Sequence, residues 1–300
     1  MRVHVRVPAT SANLGPGFDV LGLALALHND IDAEEADGVS VMIEGEGAGR
    51  LETGARNVVA RAVRMAFEAA GRPFRGVALH CVNRIPPSRG LGSSAAAWMG
   101  GLVAGNALAG GGLSRDTLLE LATRAEGHPD NVAAALLGGL TVSCHSGDRV
   151  VALSLPVPPT IRWVVLIPEI EGSTEEARAV LAASVSRADA VFNLQRMGLL
   201  LGALSAGRLD LLPAALDDRL HQPQRWRLFP WLPAAVAAAR GAGALGCVLS
   251  GAGPSLLAPV AGPGDAVSAA MEAALHETGT AGRAVTLAVD VTGVTCEPVA

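Results

Sequence analysis

The chain has 300 residues, which at roughly 150 per domain points to about two domains. Half of the residues are hydrophobic and 17% are charged, and this excludes a disordered chain. The formal charge of −5 argues against a nucleic-acid-binding surface, and all 23 basic residues are Arg, so Schiff-base chemistry and a Walker-type phosphate loop, which need a Lys amine, are excluded as well.

In chain order, residues 2–7, 20–27 and 39–44 read as strands. Helical spacing follows over 57–70 (Val58, Ala62, Met65, Ala66, Ala69) and stops at Gly71. Residues 77–82 read as a strand, and a Pro/Gly/Ser loop then feeds an Ala-rich helix. The uncharged stretch 91–114 has the length of a membrane span. Its Ala, Gly and Asn106 suit a buried helix better, so no membrane partner is expected. Ser114 caps a helix running through 125, and Pro129 sits at the first position of a short helix. Residues 140–144 and 150–155 form a hairpin around Gly147-Asp148. The prolines of 156–159 mark a boundary between units 1–156 and 157–300. Beyond them come a strand (161–167), helices near 174–183, 188–204, 209–220 and 232–240, strands at 247–250 and 256–260, a helix over 266–277 and a strand over 284–291. Strands and helices mix without strict alternation, which is an α+β pattern. The four Cys lie far apart with no C-x-x-C, and no signal peptide is visible, so a reducing cytoplasm is the expected compartment.

Four segments carry candidate chemistry. Residues 8–19 join two strands and place Asn13 and Asp19 among small residues, either as a plain turn or as a site. Residues 86–96, Pro-Pro-Ser-Arg-Gly-Leu-Gly-Ser-Ser-Ala-Ala, bring glycines and two serines to a helix start, where exposed N–H groups and the helix dipole make an anion site suited to a diphosphate. The spacing lacks the third Gly of a dinucleotide fingerprint. Glu120 and Ser94 offer hard oxygen ligands to a Mg²⁺ that accompanies phosphate, the alternative being a surface pair of Glu120 with Arg124. His128 is a ligand, an acid–base group or a turn residue, and zinc is disfavoured for want of a second His or Cys at metal spacing. Residues 249–255 form a glycine turn, either a simple hairpin or a backbone lid on the phosphate loop.

Taken together, these segments resemble the GHMP kinases, and within them most closely the homoserine kinase family. Residues 8–27, 86–96, Glu126-Gly-His-Pro-Asp-Asn-Val132, Ser173-Thr-Glu-Glu-Ala-Arg178, Leu220-His-Gln-Pro-Gln-Arg225 and 249–255 match that family in order and spacing. The resemblance implies a ribosomal-protein-S5-like N-terminal domain and a ferredoxin-like C-terminal domain. It implies transfer of a phosphoryl group from ATP to the hydroxyl of L-homoserine, a step of threonine biosynthesis, and leaves open a homodimer. Pro86, Pro87, Ser88, Arg89, Gly90, Leu91, Gly92, Ser93, Ser94, Ala95 and Ala96, with Gly251 and Gly253, would hold the ATP phosphates, and Asn57 would lie near the adenine. Ser94 and Glu120 would hold Mg²⁺. Asn13, Asp19, His128, Asp130, Asn131, Arg178 and Arg225 would surround homoserine, with Asp19 toward the ammonium and both arginines toward the carboxylate. Mevalonate and galactose kinases have a catalytic Asp where this chain shows Asn131, so no dedicated general base is expected. The other readings are a different GHMP small-molecule kinase and a non-catalytic binding protein on the same scaffold.

Overall fold

The computed structural model describes residues 1–299. Strands β1 (Arg2–Ala12) and β2 (Leu21–Glu35) pair antiparallel from Arg2↔Glu34 to Ala12↔Gly22, with a register shift at Pro8/Ala9. Pro8 has no N–H to donate, and a bulge is where a strand tolerates that. Both strands outrun the expected 2–7 and 20–27. In β1 the alternation ends at Pro8 because everything from there to Ala12 is covered on both faces. In β2 the extension His28–Glu35 buries Asn29, Ile31 and Ala33 and turns His28, Asp30 and Asp32 outward, where Asp32 pairs with Arg2 and His4. Such a one-sided strand carries too few apolar residues to be seen as a run.

β3 (Gly38–Gly45) and β4 (Gly76–Asn83) run parallel, joined across helix α1 (Val58–Ala69). Asn57 caps α1 by accepting from the N–H groups of Val59 and Ala60. Helix α2 (Ser93–Leu108) packs between α1 and β1. A Cβ on Gly101 or Gly105 would sit 2.6 or 2.7 Å from the α1 carbonyl oxygens of Val59 and Val63, so small residues set the close approach of the two helices. This is why 91–114 lacks charge: α2 is covered nearly all round. Among the described residues no helix is long and apolar enough to cross a membrane. α3 (Arg115–Glu126) is capped by Ser114 and ends at Gly127 (φ 92°). α4 (Asp130–Leu137) takes Pro129 as its N-cap rather than its first helical residue. β5 (Leu140–Ser146) and β6 (Arg149–Leu155) complete a seven-stranded sheet, β5 joining the start of β2.

The second sheet, β10-β7-β9-β8, is built from β7 (Arg162–Pro168), β8 (Val248–Leu249), β9 (Leu256–Val260) and β10 (Gly282–Leu287). It shares a separate apolar cluster with α9 (Leu232–Gly241) and α10 (Asp265–His276). α5 (Thr174–Ala179) is shorter than the expected 174–183, and α6 spans Arg187–Ala206. The single helix expected over 209–220 is instead a 3-10 turn, Leu209–Leu211, and a four-residue α7 (Leu212–Ala215). The Asp218 carboxylate then draws the backbone N–H groups of Leu220, His221 and Gln222 into a turn, which opens α8 (Gln222–Arg225). The expected last strand, 284–291, stops at Leu287. A further strand, β11 (Thr295–Val299), returns to pair with β1 from Arg2↔Val299 to Arg6↔Thr295. The segment 157–300 is therefore not one self-contained unit: its end is an edge strand of the first sheet.

Candidate active site

The turn between β1 and β2 forms one wall of a cleft of about 540 Å³. Asn13 (φ 74°) and Asp19 (φ 56°) both adopt left-handed backbone conformations. Asn13 holds the turn, its Oδ1 accepting from Asp19 N at 3.0 Å while its Nδ2 donates to Gly251 O at 3.0 Å. Gly15 (φ 75°) allows the turn to lie against the end of α7, since a Cβ there would be 2.4 Å from Leu216 O.

Gly90 to Ser94 form the opposite wall. Gly92 is the N-cap of α2 with φ 66° and no side-chain cap bond, so the first N–H groups of a 16-residue helix remain available to an anion. The Gly251–Gly253 turn joins β8 to β9 and presses on this loop. Ser250 donates to Gly90 O at 2.6 Å, and a Cβ on Gly90 (φ 74°) would meet Ser250 O at 2.3 Å. The glycine turn is thus a hairpin packed against the Gly90–Ser94 loop. Gly90→Ala should therefore lower stability by about 1–3 kcal/mol through backbone strain. Thermal unfolding checks this, and an unchanged melting temperature contradicts the packing argument. Arg89 does not face the cleft with a bare guanidinium. It donates to the carbonyls of Pro87, Pro168 and Glu169 and pairs with Glu171, clasping the end of β7.

A second hollow of about 280 Å³ meets the first at Ser88, Ser93 and Ser94. Its apolar walls include Ile31, Ile43, Leu51, Val58, Cys81 and Ala97. Burial pushes the Cys81 thiol up to about 12, so it serves as an apolar wall rather than a nucleophile. Asn57 lines this hollow, but its amide is engaged, capping α1 and donating to Glu52 O at 2.7 Å. Pro86 and Ala95 are buried and line neither hollow.

The Ser94–Glu120 pairing expected from sequence is not formed. Glu120 lies in a separate surface hollow with Thr123, Arg124, His145 and Asp148, and its nearest charge is Arg149 at 3.9 Å. Six residues on an α-helix rotate about 240°, so α3 cannot present Glu120 and its last residue, Glu126, to one place. Glu126 is the cleft carboxylate that meets Ser94, accepting from its Oγ at 2.7 Å, and burial raises its pKa. The signal for it was available: Glu126 stands two residues before His128, at the Gly127 helix stop.

His128 Nδ1 lies 2.9 Å from Asp130 Oδ1, and this hydrogen bond raises the pKa of the imidazole. Asp130 also accepts from Asn131 N at 2.7 Å, and Asn131 Oδ1 accepts from Thr10 Oγ1 at 2.8 Å. Asp19 and Arg178 are bonded to each other, Nη1 to Oδ2 at 3.0 Å and Nη2 to Oδ1 at 2.8 Å, so Arg178 pairs with neither Glu175 nor a bare cleft. Arg225 is 2% exposed, and among the described residues no carboxylate is bonded to it. Its Nε donates to Ala177 O (3.1 Å) and its Nη1 to Gly251 O (3.0 Å), and burial, with Arg178 nearby, lowers its pKa to about 10. A buried guanidinium whose partners are carbonyls and an imidazole nitrogen, with no carboxylate bonded to it among the described residues, is suited to an anionic ligand.

The family described as GHMP kinases N terminal domain matches residues 57–139, and GHMP kinases C terminal matches residues 200–277. The chain is 48% identical over 275 residues to the homoserine kinase of Moorella thermoacetica, covering 92% of this chain and 93% of that protein. It is 50% identical over 296 residues to the homoserine kinase of Symbiobacterium thermophilum, covering 95% of this chain and 91% of that one. The crystal structure of homoserine kinase from Cytophaga hutchinsonii superposes with a TM-score of 0.90 at 30% identity, over 99% of this chain and 97% of that one.

Proposed function

The chain belongs to the homoserine kinase family of the GHMP kinases, and on that footing we propose how its two hollows divide the work of moving a phosphoryl group from ATP to the hydroxyl of L-homoserine. The activity is that of a homoserine kinase, an ATP:alcohol phosphotransferase that forms O-phospho-L-homoserine for threonine synthesis. The adenine takes the apolar hollow beside α1, and the phosphates pass Ser88 and Ser93 to the N-terminus of α2, beside the Gly251–Gly253 turn. The observation that carries this division is the shared wall: the apolar hollow and the polar cleft meet at the anion-binding helix start.

A kinase of this kind needs charge neutralisation at the transferred phosphate. Ser94 and Glu126 fit a Mg²⁺, because Glu126 is a half-buried carboxylate whose side-chain partner among the described residues is a hydroxyl. Among the described residues no cluster of three or more His, Cys, Asp or Glu surrounds it. That suits an ion which completes its shell with water and phosphate oxygens. Bound there, the ion would offset the charge that develops on the phosphoryl oxygens.

Homoserine offers an ammonium, a carboxylate and a hydroxyl. Asp19 takes the ammonium, while Arg178 and Arg225 take the carboxylate, so the zwitterion exchanges the Asp19–Arg178 bond for one contact to each partner. Asn131 and Asp130 are tied to Thr10 and His128, an arrangement for positioning rather than for taking a proton. Transfer then rests on alignment and charge stabilisation, with the hydroxyl proton leaving late to phosphate or water. The enzyme works in the cytoplasm, a reading supported by four cysteines that are all unpaired. ADP release with ATP, Mg²⁺ and a panel of homoserine, mevalonate and galactose tests the assignment. Homoserine should exceed mevalonate in kcat/KM by at least ~100-fold, because polar groups left unpaired cost ~2–3 kcal/mol. Comparable turnover of mevalonate would overturn it.

A further inference from the structure

Below the cleft lies a buried polar chain that phosphoryl transfer itself leaves unused. Asn193 on α6 donates from Nδ2 to Pro16 O (3.2 Å) and to Asp218 Oδ1 (2.7 Å). Asp218, whose side chain is fully covered, also accepts the three backbone N–H groups that open α8. Next to it His221 is fully buried, its Nε2 2.8 Å from Gly15 O and its Nδ1 3.2 Å from Arg225 Nη1. A guanidinium can only donate and a carbonyl can only accept. Nδ1 must therefore present its lone pair to Arg225, and Nε2 must carry the hydrogen toward Gly15. The geometry allows one protonation state and one tautomer. The ring stacks on Phe18 with centroids 5.1 Å apart, and the Arg225 guanidinium lies 5.2 Å from the same Phe18 ring.

We propose that neutral His221 is the positioning residue of the carboxylate clamp: by accepting from Arg225 Nη1 and donating to Gly15 O, it fixes the guanidinium with Nη2 toward the cleft and locks it to the turn that carries Asp19. This rests on the assignment of Arg225 to the homoserine carboxylate. Three anchors from three elements hold the guanidinium: Ala177 O from α5, Gly251 O from the glycine turn and His221 from the start of α8. Among the described residues Nη2 has no partner, and Arg225 lines the cleft. Two of these anchors also reach the Asn13–Asp19 turn, Gly251 O by accepting from Asn13 Nδ2 and His221 by donating to Gly15 O, and His221 is the one that acts through a side chain, so it helps keep the two handles for a zwitterion at a set separation. The charged groups facing the ring are Asp218 (3.4 Å), Arg225 and, farther off, Asp19. A protonated ring would lose its acceptor and place two cations 3.2 Å apart.

Three variants test the role. His221→Asn keeps an acceptor near the Nδ1 position, His221→Gln keeps a donor near the Nε2 position, and His221→Leu keeps neither. His221→Leu should raise the KM for homoserine by about tenfold, the scale of one hydrogen bond to a charged group, and leave the KM for ATP within about twofold. His221→Asn should recover most of the homoserine KM, and His221→Gln should not. The acid limb of kcat/KM for homoserine that His221 protonation produces should be lost in His221→Asn. If His221→Leu does not fold, the Asn and Gln variants carry the comparison alone. Equal homoserine KM values for Asn and Gln, or a Gln variant closer to the parent, overturn the positioning role. Arg225→Ala separates the two readings. If it leaves the homoserine KM unchanged, the clamp assignment falls and this inference with it. If it raises that KM while His221→Asn and His221→Gln behave alike, the positioning role alone falls.

Discussion

Glu126→Gln is expected to lower kcat by about 10²–10³-fold, the scale seen when one preorganised electrostatic partner of a transition state is removed. The substitution preserves size and can still accept from Ser94, so what disappears is the anionic oxygen. The rate should also require a higher Mg²⁺ concentration. Glu120→Gln is the control: its carboxylate lies away from the cleft beside Arg149, and its activity should stay within about twofold of the parent. Stability should move the opposite way from activity. Burial raises the pKa of Glu126, so the folded chain holds that proton more tightly than the unfolded chain does. Its stabilising contribution is complete below the ordinary Glu range and is lost as pH rises through the raised value, leaving the ionised form a liability at neutral pH. Glu126→Gln should therefore unfold at an equal or higher temperature than the parent in the absence of nucleotide and Mg²⁺. A variant that is inactive because it is unstable contradicts this, as does a Glu120→Gln enzyme with the larger defect.

The second large effect is expected at Arg225. Arg225→Ala should weaken homoserine by ~2–5 kcal/mol while ATP changes little, as for a desolvated charge pair losing one partner. Arg225→Lys keeps the charge but should still fail, for a reason specific to this site. Nε and Nη1 are held by Ala177 O, Gly251 O and His221, and only Nη2 is left to meet the carboxylate. An ammonium has one nitrogen and cannot hold those anchors and reach the ligand together. An amino alcohol lacking the carboxylate is the control, and with it the parent and Arg225→Ala should differ little. If Arg225→Ala instead weakens ATP and spares homoserine, the residue grips phosphate.

Local signals made the phosphate loop and its helix legible. Gly90, Gly92, Ser93 and Ser94 stand together within one short segment, and an anion site at a helix start needs only neighbouring residues. The helices over α1 and α3 and the hairpin of β5 and β6 were legible for the same reason, since caps, glycine stops and periodicity act over a few residues. The second half of β2 was not, because its outward residues are polar and only the inner three report the core. The helix expected over 209–220 fails because Asp218 finds backbone partners in a turn, a preference that periodicity does not measure.

Residue types and spacing alone determined that a glycine- and serine-rich loop suited to an anion opens a helix and that the chain uses no Lys, and the resemblance to homoserine kinases marked the Asn13–Asp19, His128–Asn131 and Arg225 segments. Which carboxylate accompanies Ser94 was decided only in three dimensions. Glu120 and Glu126 are equivalent by composition, and the rotation of α3 against the start of α2 sends one to the surface and the other to the cleft. Tertiary structure likewise decided that Asp19 meets Arg178 across 159 residues, that Arg225 reaches Ala177 O across 48, and that β11 closes the first sheet from the far end of the chain. Each of these depends on how distant segments meet, and neither periodicity nor capping carries information over such separations. The contacts follow from how two sheets and their helices bury their apolar faces together.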